Sequence, residues 1–261
     1  MPAAEDVVQG APCWVSLAAP DLAMVKDFYA ATLGWRYRPG FGLDEYAIAL
    51  SDEAPLAGMG AAGRAPGVPR AWSVHFAVSS VDQAADRVRE RGGTVAVGPL
   101  SFGPGRMAWA TDPDGAPFVL WEGPVTPRWG AGRPGSGSSR RVWLDLHTRD
   151  TFAAAIFYSQ ALGWDTEPPE RCALRYEDDR EVLEIHGHAV ASLYGGAVDQ
   201  APDPKIRPRW QVTFRTPNAE EAAGRAVAAG GVLVGPVRST SIGPGLRLSD
   251  VQGTLFAVAD I

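Results

Sequence analysis

The sequence is short of lysine. It has two, Lys26 and Lys205, against 22 arginines, and with its many alanines, glycines and prolines this bias is what a GC-rich bacterial genome produces. The net charge is −6. Clustered positive charge for a phosphate backbone is therefore missing, and no nucleic-acid partner is expected. No apolar run approaches the ~18–20 residues of a membrane span, so no membrane partner is expected either. The opening Met-Pro-Ala-Ala-Glu-Asp lacks the basic and apolar segments of a secretion signal. Two cysteines, Cys13 and Cys172, fit no zinc or redox spacing and are expected as reduced thiols of a cytoplasmic protein. A glycine-rich run near residue 130 is followed by neither Lys-Ser/Thr nor a helix, which excludes a phosphate loop. There is no Gly-x-Ser-x-Gly elbow. Asp112 to Gly115 is a turn and not a calcium loop, because no ligand series follows it.

What the chain does contain is a repeat. Phe28-Tyr29-Ala30-Ala31-Thr32-Leu33-Gly34-Trp35 returns as Phe157-Tyr158-Ser159-Gln160-Ala161-Leu162-Gly163-Trp164, offset by 129 residues. Each copy follows a Trp-containing apolar run and an Asp suited to cap a helix, so the chain reads as two tandem copies of one unit. Apolar residues make up 46% and charged residues 21%, which is ordinary for a globular chain long enough to bury a core.

Residues 12–18 alternate as a half-buried strand, with Trp14, Ser16 and Ala18 on one face. Asp21 caps a helix whose apolar stripe includes Leu22, Val25, Phe28, Tyr29 and Leu33, and Gly34 ends it in the left-handed conformation that glycine adopts cheaply. Three short strands follow, near 35–38, 45–50 and 56–60. After a Gly/Pro stretch from Ala61 to Arg70, a strand at 71–78 leads into a Ser80–Gln83 capping box and a helix to Arg91. Strands at 94–97, 106–111 and 117–121 complete the copy, the last two joined by the Asp112-Pro113-Asp114-Gly115 turn. The second copy repeats the order, with a strand at 142–148, a cap at Asp150, a second capping box at Asn218–Glu221 and an echo of the turn at Asp250–Gly253. Four βαβββ modules result, an α+β chain. The boundaries are an N-terminal tail at 1–11, a first domain at 12–122, a flexible Gly/Pro/Ser linker at 123–140 and a second domain at 141–261.

A strand, a Phe-Tyr…Leu-Gly-Trp helix and a later Asp-Pro-Asp-Gly hairpin resemble the vicinal oxygen chelate superfamily. That group includes glyoxalase I, extradiol dioxygenases and bleomycin-resistance proteins. Pro12-Cys13-Trp14-Val15, Ala57-Gly58-Met59-Gly60, Gly92-Gly93-Thr94-Val95 and Gly105-Arg106-Met107-Ala108 resemble its tandem actinobacterial, Cfp30B-like branch, whose members are labelled glyoxalase-like or hydroxylase and include accessory proteins of aromatic polyketide pathways. The resemblance implies two domains with curved mixed sheets, each forming a cup. It also implies where metal-using members place ligands. Counting along the motifs gives Trp14, Ser73 and Val119 in the first copy, and Trp143, Gln211 and Ala257 in the second. Of these Gln211 alone could ligate a metal, and a divalent ion needs several imidazole, carboxylate or thiolate groups. No metal and no other cofactor is therefore expected. A further ligand position, on the third strand of a first module, is unplaced, and Glu184 lies near it.

Chemistry is then sought among the residues that share the cup faces. In the first copy these are Ser16, Ser73 and His75 with Trp14, Trp109 and Trp121; in the second, Asp145, Gln211 and Thr213 beside Trp143. His75 is read either as a general base or as a core histidine bonded to a serine. A mid-strand carboxylate such as Asp145 is unusual and is read either as catalytic or as paired with Gln211 or an arginine. His147, at a strand end, is expected to be exposed. His186-Gly187-His188 is a hairpin pair without further ligands. Nine tryptophans suggest cups lined with aromatic rings.

The functional expectation is a metal-independent binder of a small hydrophobic or aromatic molecule, for sequestration, resistance or delivery. The alternative is a metal-independent tailoring enzyme of secondary metabolism using His75 or Asp145 as base. A metal-dependent glyoxalase or dioxygenase ranks last. A monomer or a homodimer fits two fused domains.

Overall fold

The structure is a computed structural model that describes residues 8–41, 43–61, 69, 71–126, 129, 140–177, 180–195, 208–240 and 242–261. Most of the stretch from Ala61 to Arg70 and most of the linker lie outside the described residues.

The four modules are present. The first runs β1 (Pro12–Ala18), α1 (Leu22–Leu33), β2 (Arg36–Gly40), β3 (Leu43–Ser51) and β4 (Ala54–Gly60). The second runs β5 (Trp72–Ala77), α2 (Val81–Glu90), β6 (Thr94–Phe102), β7 (Gly105–Thr111) and β8 (Pro117–Glu122). The third runs β9 (Val142–His147), α3 (Thr151–Leu162), β10 (Cys172–Glu177), β11 (Arg180–Ile185) and β12 (His188–Tyr194). The fourth runs β13 (Arg209–Thr216), α4 (Ala219–Ala228), β14 (Val232–Thr240), β15 (Gly243–Ser249) and β16 (Leu255–Asp260). The strands form two eight-stranded mixed sheets, ordered β2-β3-β4-β1-β5-β8-β7-β6 and β10-β11-β12-β9-β13-β16-β15-β14. In each module the strand before the helix pairs in parallel with the last strand, and the remaining pairs are antiparallel.

The caps act as the sequence requires. Asp21 and Asp150 accept from the amides of Met24 and Ala153, while Gly34 and Gly163 end their helices at φ +71° and +84°. Ser80 and Asn218 accept from Gln83 and Glu221. Such a cap contributes about 1 kcal/mol. One strand differs from expectation. β6 continues past Val97 to Phe102, because register shifts absorb Gly98 and Pro99, which cannot donate to the ladder. Between α3 and β10 the chain makes a short 3-10 turn at Trp164–Thr166, held by Thr166 Oγ1 donating to the Gly163 carbonyl.

Packing divides the chain into two compact units, and neither coincides with one copy of the repeat. One unit combines the second and third modules, the other the first and fourth. In the unit of the first and fourth modules, α1 packs on α4. Tyr29 stacks on Trp35 at 5.2 Å, and Phe214 and Phe256 of the other copy close the cluster edge-on. The Tyr29 hydroxyl donates to Asp250 Oδ2 at 3.2 Å and accepts from Trp72 Nε1 at 2.9 Å. In the unit of the second and third modules, α2 packs on α3 and the same contacts recur. Tyr158 stacks on Trp164, donates to Asp112 Oδ2 at 3.1 Å and accepts from Trp210 Nε1 at 3.0 Å, with Phe76 and Phe118 around it. Asp112 and Asp250 accept turn amides through their other oxygen, from Ala116 in one case and from Gln252 and Thr254 in the other. The helix tyrosine of each copy is thus held by the turn aspartate of the other. In the same unit, residues 8–11 are tied down: the Gly10 amide donates to the Ala77 carbonyl and Gln9 Nε2 to the Leu162 carbonyl.

Candidate functional site

On the first sheet, within the unit of the first and fourth modules, Trp14 and Ser16 share a half-buried face of β1. Trp14 Nε1 donates to the Tyr46 hydroxyl at 3.3 Å. Gly58 lies beneath them, and a Cβ there would fall 1.8 Å from that hydroxyl, so glycine is what lets Tyr46 lie against β4. Phe41 stacks on Tyr46 at 5.8 Å. The fourth ring comes from the linker. Trp129 is buried, 6.2 Å from Trp14, and its Nε1 donates to the Leu56 carbonyl at 2.8 Å. That carbonyl is available because the β3–β4 register skips Leu56, pairing Ala49 with Ala57 and Leu50 with Pro55. Arg140 donates to the Trp129 carbonyl, and burial pushes its pKa down to about 10. Neither Trp129 nor Tyr46 was singled out from sequence. The available signal was a lone tryptophan inside a Gly/Pro/Ser-rich segment.

In the unit of the second and third modules, His75 faces Val119 across β5 and β8, and Val119 faces Trp109 across β7. His75 is 5% exposed, and desolvation pushes its pKa down to about 3. The imidazole is neutral at neutral pH and a weak proton acceptor there. The Cys13 thiol donates to the His75 carbonyl at 3.5 Å. Trp121, two residues beyond Val119, donates through Nε1 to the Pro124 carbonyl at 3.0 Å. Ser73, at the start of β5, falls in the unit of the first and fourth modules; it is buried and its hydroxyl donates to the Ala71 carbonyl.

In the same unit Asp145 is 1% exposed and stands in register with Ser192. Two residues on, the register pairs His147 with Tyr194, and here expectation fails: His147 is 8% exposed, its ring 26° from parallel to Tyr194 at 6.3 Å. The strand end is covered because β12 runs alongside β9 as far as this row. Arg180 donates to the Tyr194 hydroxyl. Glu184 is engaged by Arg175, Nε to Oε2 at 2.8 Å. His186 and His188 flank an exposed turn. Both cysteines are free and buried, which pushes the Cys172 thiol up to about 12.

Trp143, Gln211 and Thr213 belong to the unit of the first and fourth modules, whereas Asp145 belongs to the other. Trp143 is buried on β9. Gln211 and Thr213 alternate along β13 and are 2% and 0% exposed. Thr213 faces Ala257, which faces Arg247. The offset of 138 residues between the Asp112 and Asp250 turns makes Arg247 the counterpart of Trp109. No local pattern sets Arg247 apart from the other arginines of the sequence; its place opposite Ala257 is given by strand register.

The ligand positions implied by the resemblance therefore hold an indole at Trp14 and Trp143, a hydroxyl at Ser73, alkyl groups at Val119 and Ala257, and one amide at Gln211. Among the described residues no three His, Cys, Asp or Glu side chains converge as a metal would need. This donor set does not fit a divalent ion.

Comparison with known proteins gives the family. Residues 13–120 match the glyoxalase/bleomycin resistance protein/dioxygenase superfamily and residues 141–259 a glyoxalase-like domain. The "Putative glyoxylase CFP32" of Mycobacterium tuberculosis is 32% identical, over 99% of this chain and 97% of its own length. The anthracycline biosynthesis protein DauV of Streptomyces sp. (strain C5) is 31% identical, over 97% and 94%. Among solved structures, the Mn(II)-bound glyoxalase of Novosphingobium aromaticivorans has a TM-score of 0.56 at 16% identity, covering 98% of this chain and 82% of its own, and shares the fold. No helix among the described residues is long and apolar enough to cross a membrane. By sequence and by fold, the chain belongs to the glyoxalase/bleomycin resistance protein/dioxygenase superfamily.

Proposed function

We propose that the protein binds a planar aromatic small molecule without a metal, within secondary metabolism. The observation that carries this reading is the run of rings Phe41, Tyr46, Trp14 and Trp129, each against the next. Aromatic rings gathered over Gly58 suit a flat ring system. The donor set described above supports metal independence, and the likeness to anthracycline biosynthesis proteins supports a polycyclic ligand. The expected result is saturable binding of 1,8-dihydroxyanthraquinone in calorimetry, unchanged by a chelator and weakened about tenfold in Trp14→Ala, the scale of one lost aromatic contact. No binding, or binding abolished by chelation, would sink the reading.

A second reading, a tailoring enzyme, is favoured by the buried Asp145 beside Ser192. Burial makes His75 a weak base, so this reading is tested at Asp145. It requires chelator-resistant turnover that Asp145→Asn removes; a bound probe recovered chemically unchanged would favour the binder. Cytoplasmic location and a monomer or homodimer remain part of the proposal.

A further inference from the structure

The row Thr213–Ala257–Arg247 sits where metal-using relatives would carry a ligand, and its middle member is a methyl group. The polar groups around it are unsatisfied. Thr213 Oγ1 and Gln211 Oε1 are buried and find no hydrogen-bond partner among the described residues. Arg247 Nε is buried in the same condition, and Arg247 makes no ion pair among the described residues. Its pKa is lowered by desolvation alone, as for a guanidinium partly withdrawn from water with no carboxylate beside it. Orphaned buried polar groups are rare in native folds and mark a missing ligand or water. Three of them, with a fixed positive charge among them, lie on one face of β13 and β15.

Beside Arg247 the sheet carries little side chain. Gly235 stands opposite Arg247 in register, and a Cβ on it would meet nothing within 4 Å. Ala257 adds only a methyl between the two polar side chains. Strands spaced about 4.8 Å apart put the Cα atoms of Thr213 and Arg247 roughly 10 Å from each other, about the width of one small bicyclic molecule. Arginine does not deprotonate in proteins, and its planar fork matches the two oxygens of a carboxylate. The Gln211 oxygen, an acceptor, calls for a donor on the same ligand, and the Thr213 hydroxyl serves either role.

We infer that the Gln211–Thr213–Arg247 face of the second copy binds an aromatic hydroxy acid, with the Arg247 guanidinium supplying the positive charge that a metal ion supplies in metal-using relatives. This rests on the proposal that the chain binds small aromatic molecules and assigns the second copy a site for a charged one. The carboxylate lies against Arg247, the ligand hydroxyl donates to Gln211 Oε1, and the Thr213 hydroxyl completes the set.

Calorimetry with 3-hydroxy-2-naphthoate and its uncharged amide tests it. Wild type should prefer the acid by about tenfold or more, the scale of a charge-assisted bidentate pair. Arg247→Gln should abolish the preference, Arg247→Lys should keep part of it, and Thr213→Val should weaken the acid severalfold. Equal binding of acid and amide by wild type overturns this inference and leaves the binding proposal intact. A preference that survives in Arg247→Gln also overturns it. Should Arg247→Gln fail to fold by circular dichroism, Arg247→Lys decides, and an undiminished preference there counts against the inference. Failure of both probes to bind overturns the inference, while the binding proposal stands or falls on the anthraquinone calorimetry.

Discussion

Burial sets the charge of single residues, in opposite senses for His75 and Asp112. Desolvation pushes the His75 pKa from the ordinary 6.5 to about 3, so folding favours the neutral ring. Its contribution is fully present above pH 6.5 and is lost as pH falls from there toward 3. The ceiling on that loss is ~1.4 kcal/mol per pH unit. His75→Gln should therefore flatten the acid sensitivity, narrowing the stability gap between pH 7 and pH 5 by up to about 2 kcal/mol in urea titrations. An unchanged gap would mean that the ring is already charged in the fold. Asp112 works the other way: desolvation raises its pKa despite bonds from Ala116 and Tyr158, so the contribution is present at low pH and is lost as pH rises through the folded value. At this scale the sequence located His75 and Asp145 on faces of the correct strands. It did not report burial, which weakens His75 as a base and covers His147. Both follow from neighbouring strands distant in sequence.

The elements were legible where a local rule decides them. Asp21 and Gly34 mark the ends of α1, and Asp150 and Gly163 those of α3, because capping uses residues three or four apart. An element set by pairing was harder to read: β6 runs on to Phe102 through Gly98 and Pro99. The Phe-Tyr pairs read as buried helix faces, and they are buried. Their hydroxyls also fasten each helix to a turn of the other copy, with a tryptophan donating to the same oxygen. Tyr158→Phe removes a bond to a buried carboxylate and leaves Trp210 Nε1 without its acceptor. It should cost roughly 2–3 kcal/mol in chemical denaturation, and Tyr29→Phe should cost a similar amount. A cost below ~0.5 kcal/mol in both would show that the hydroxyls do not hold the turns.

The molecule as a whole is organised by exchange between the copies. Each packing unit takes one module from each, so a sequence-based cut at residue 122 divides both units. Residues 1–122 expressed alone lack Asp250, Phe214 and Phe256 for Tyr29 and Trp35. That fragment should not give a cooperatively folding monomer. It should either aggregate or pair with a second copy of itself, and adding residues 123–261 should restore one stable species in size-exclusion chromatography. A monomeric fragment with a sharp thermal transition would contradict this. The same exchange bears on sites, since Asp145 falls in one unit and Gln211 and Thr213 in the other, although all three share a predicted face.

The sequence by itself determined the repeat, the four βαβββ modules, the helix ends and the superfamily. Each rests on short-range patterns of apolar spacing, capping and turn chemistry that two copies state twice. Only the tertiary structure decided which modules pack together, that Trp129 lies against Trp14, and that Arg247 stands beside Ala257 with its charge unpaired among the described residues. Those outcomes depend on strand register and on burial by residues far along the chain, and no local pattern in the sequence encodes either.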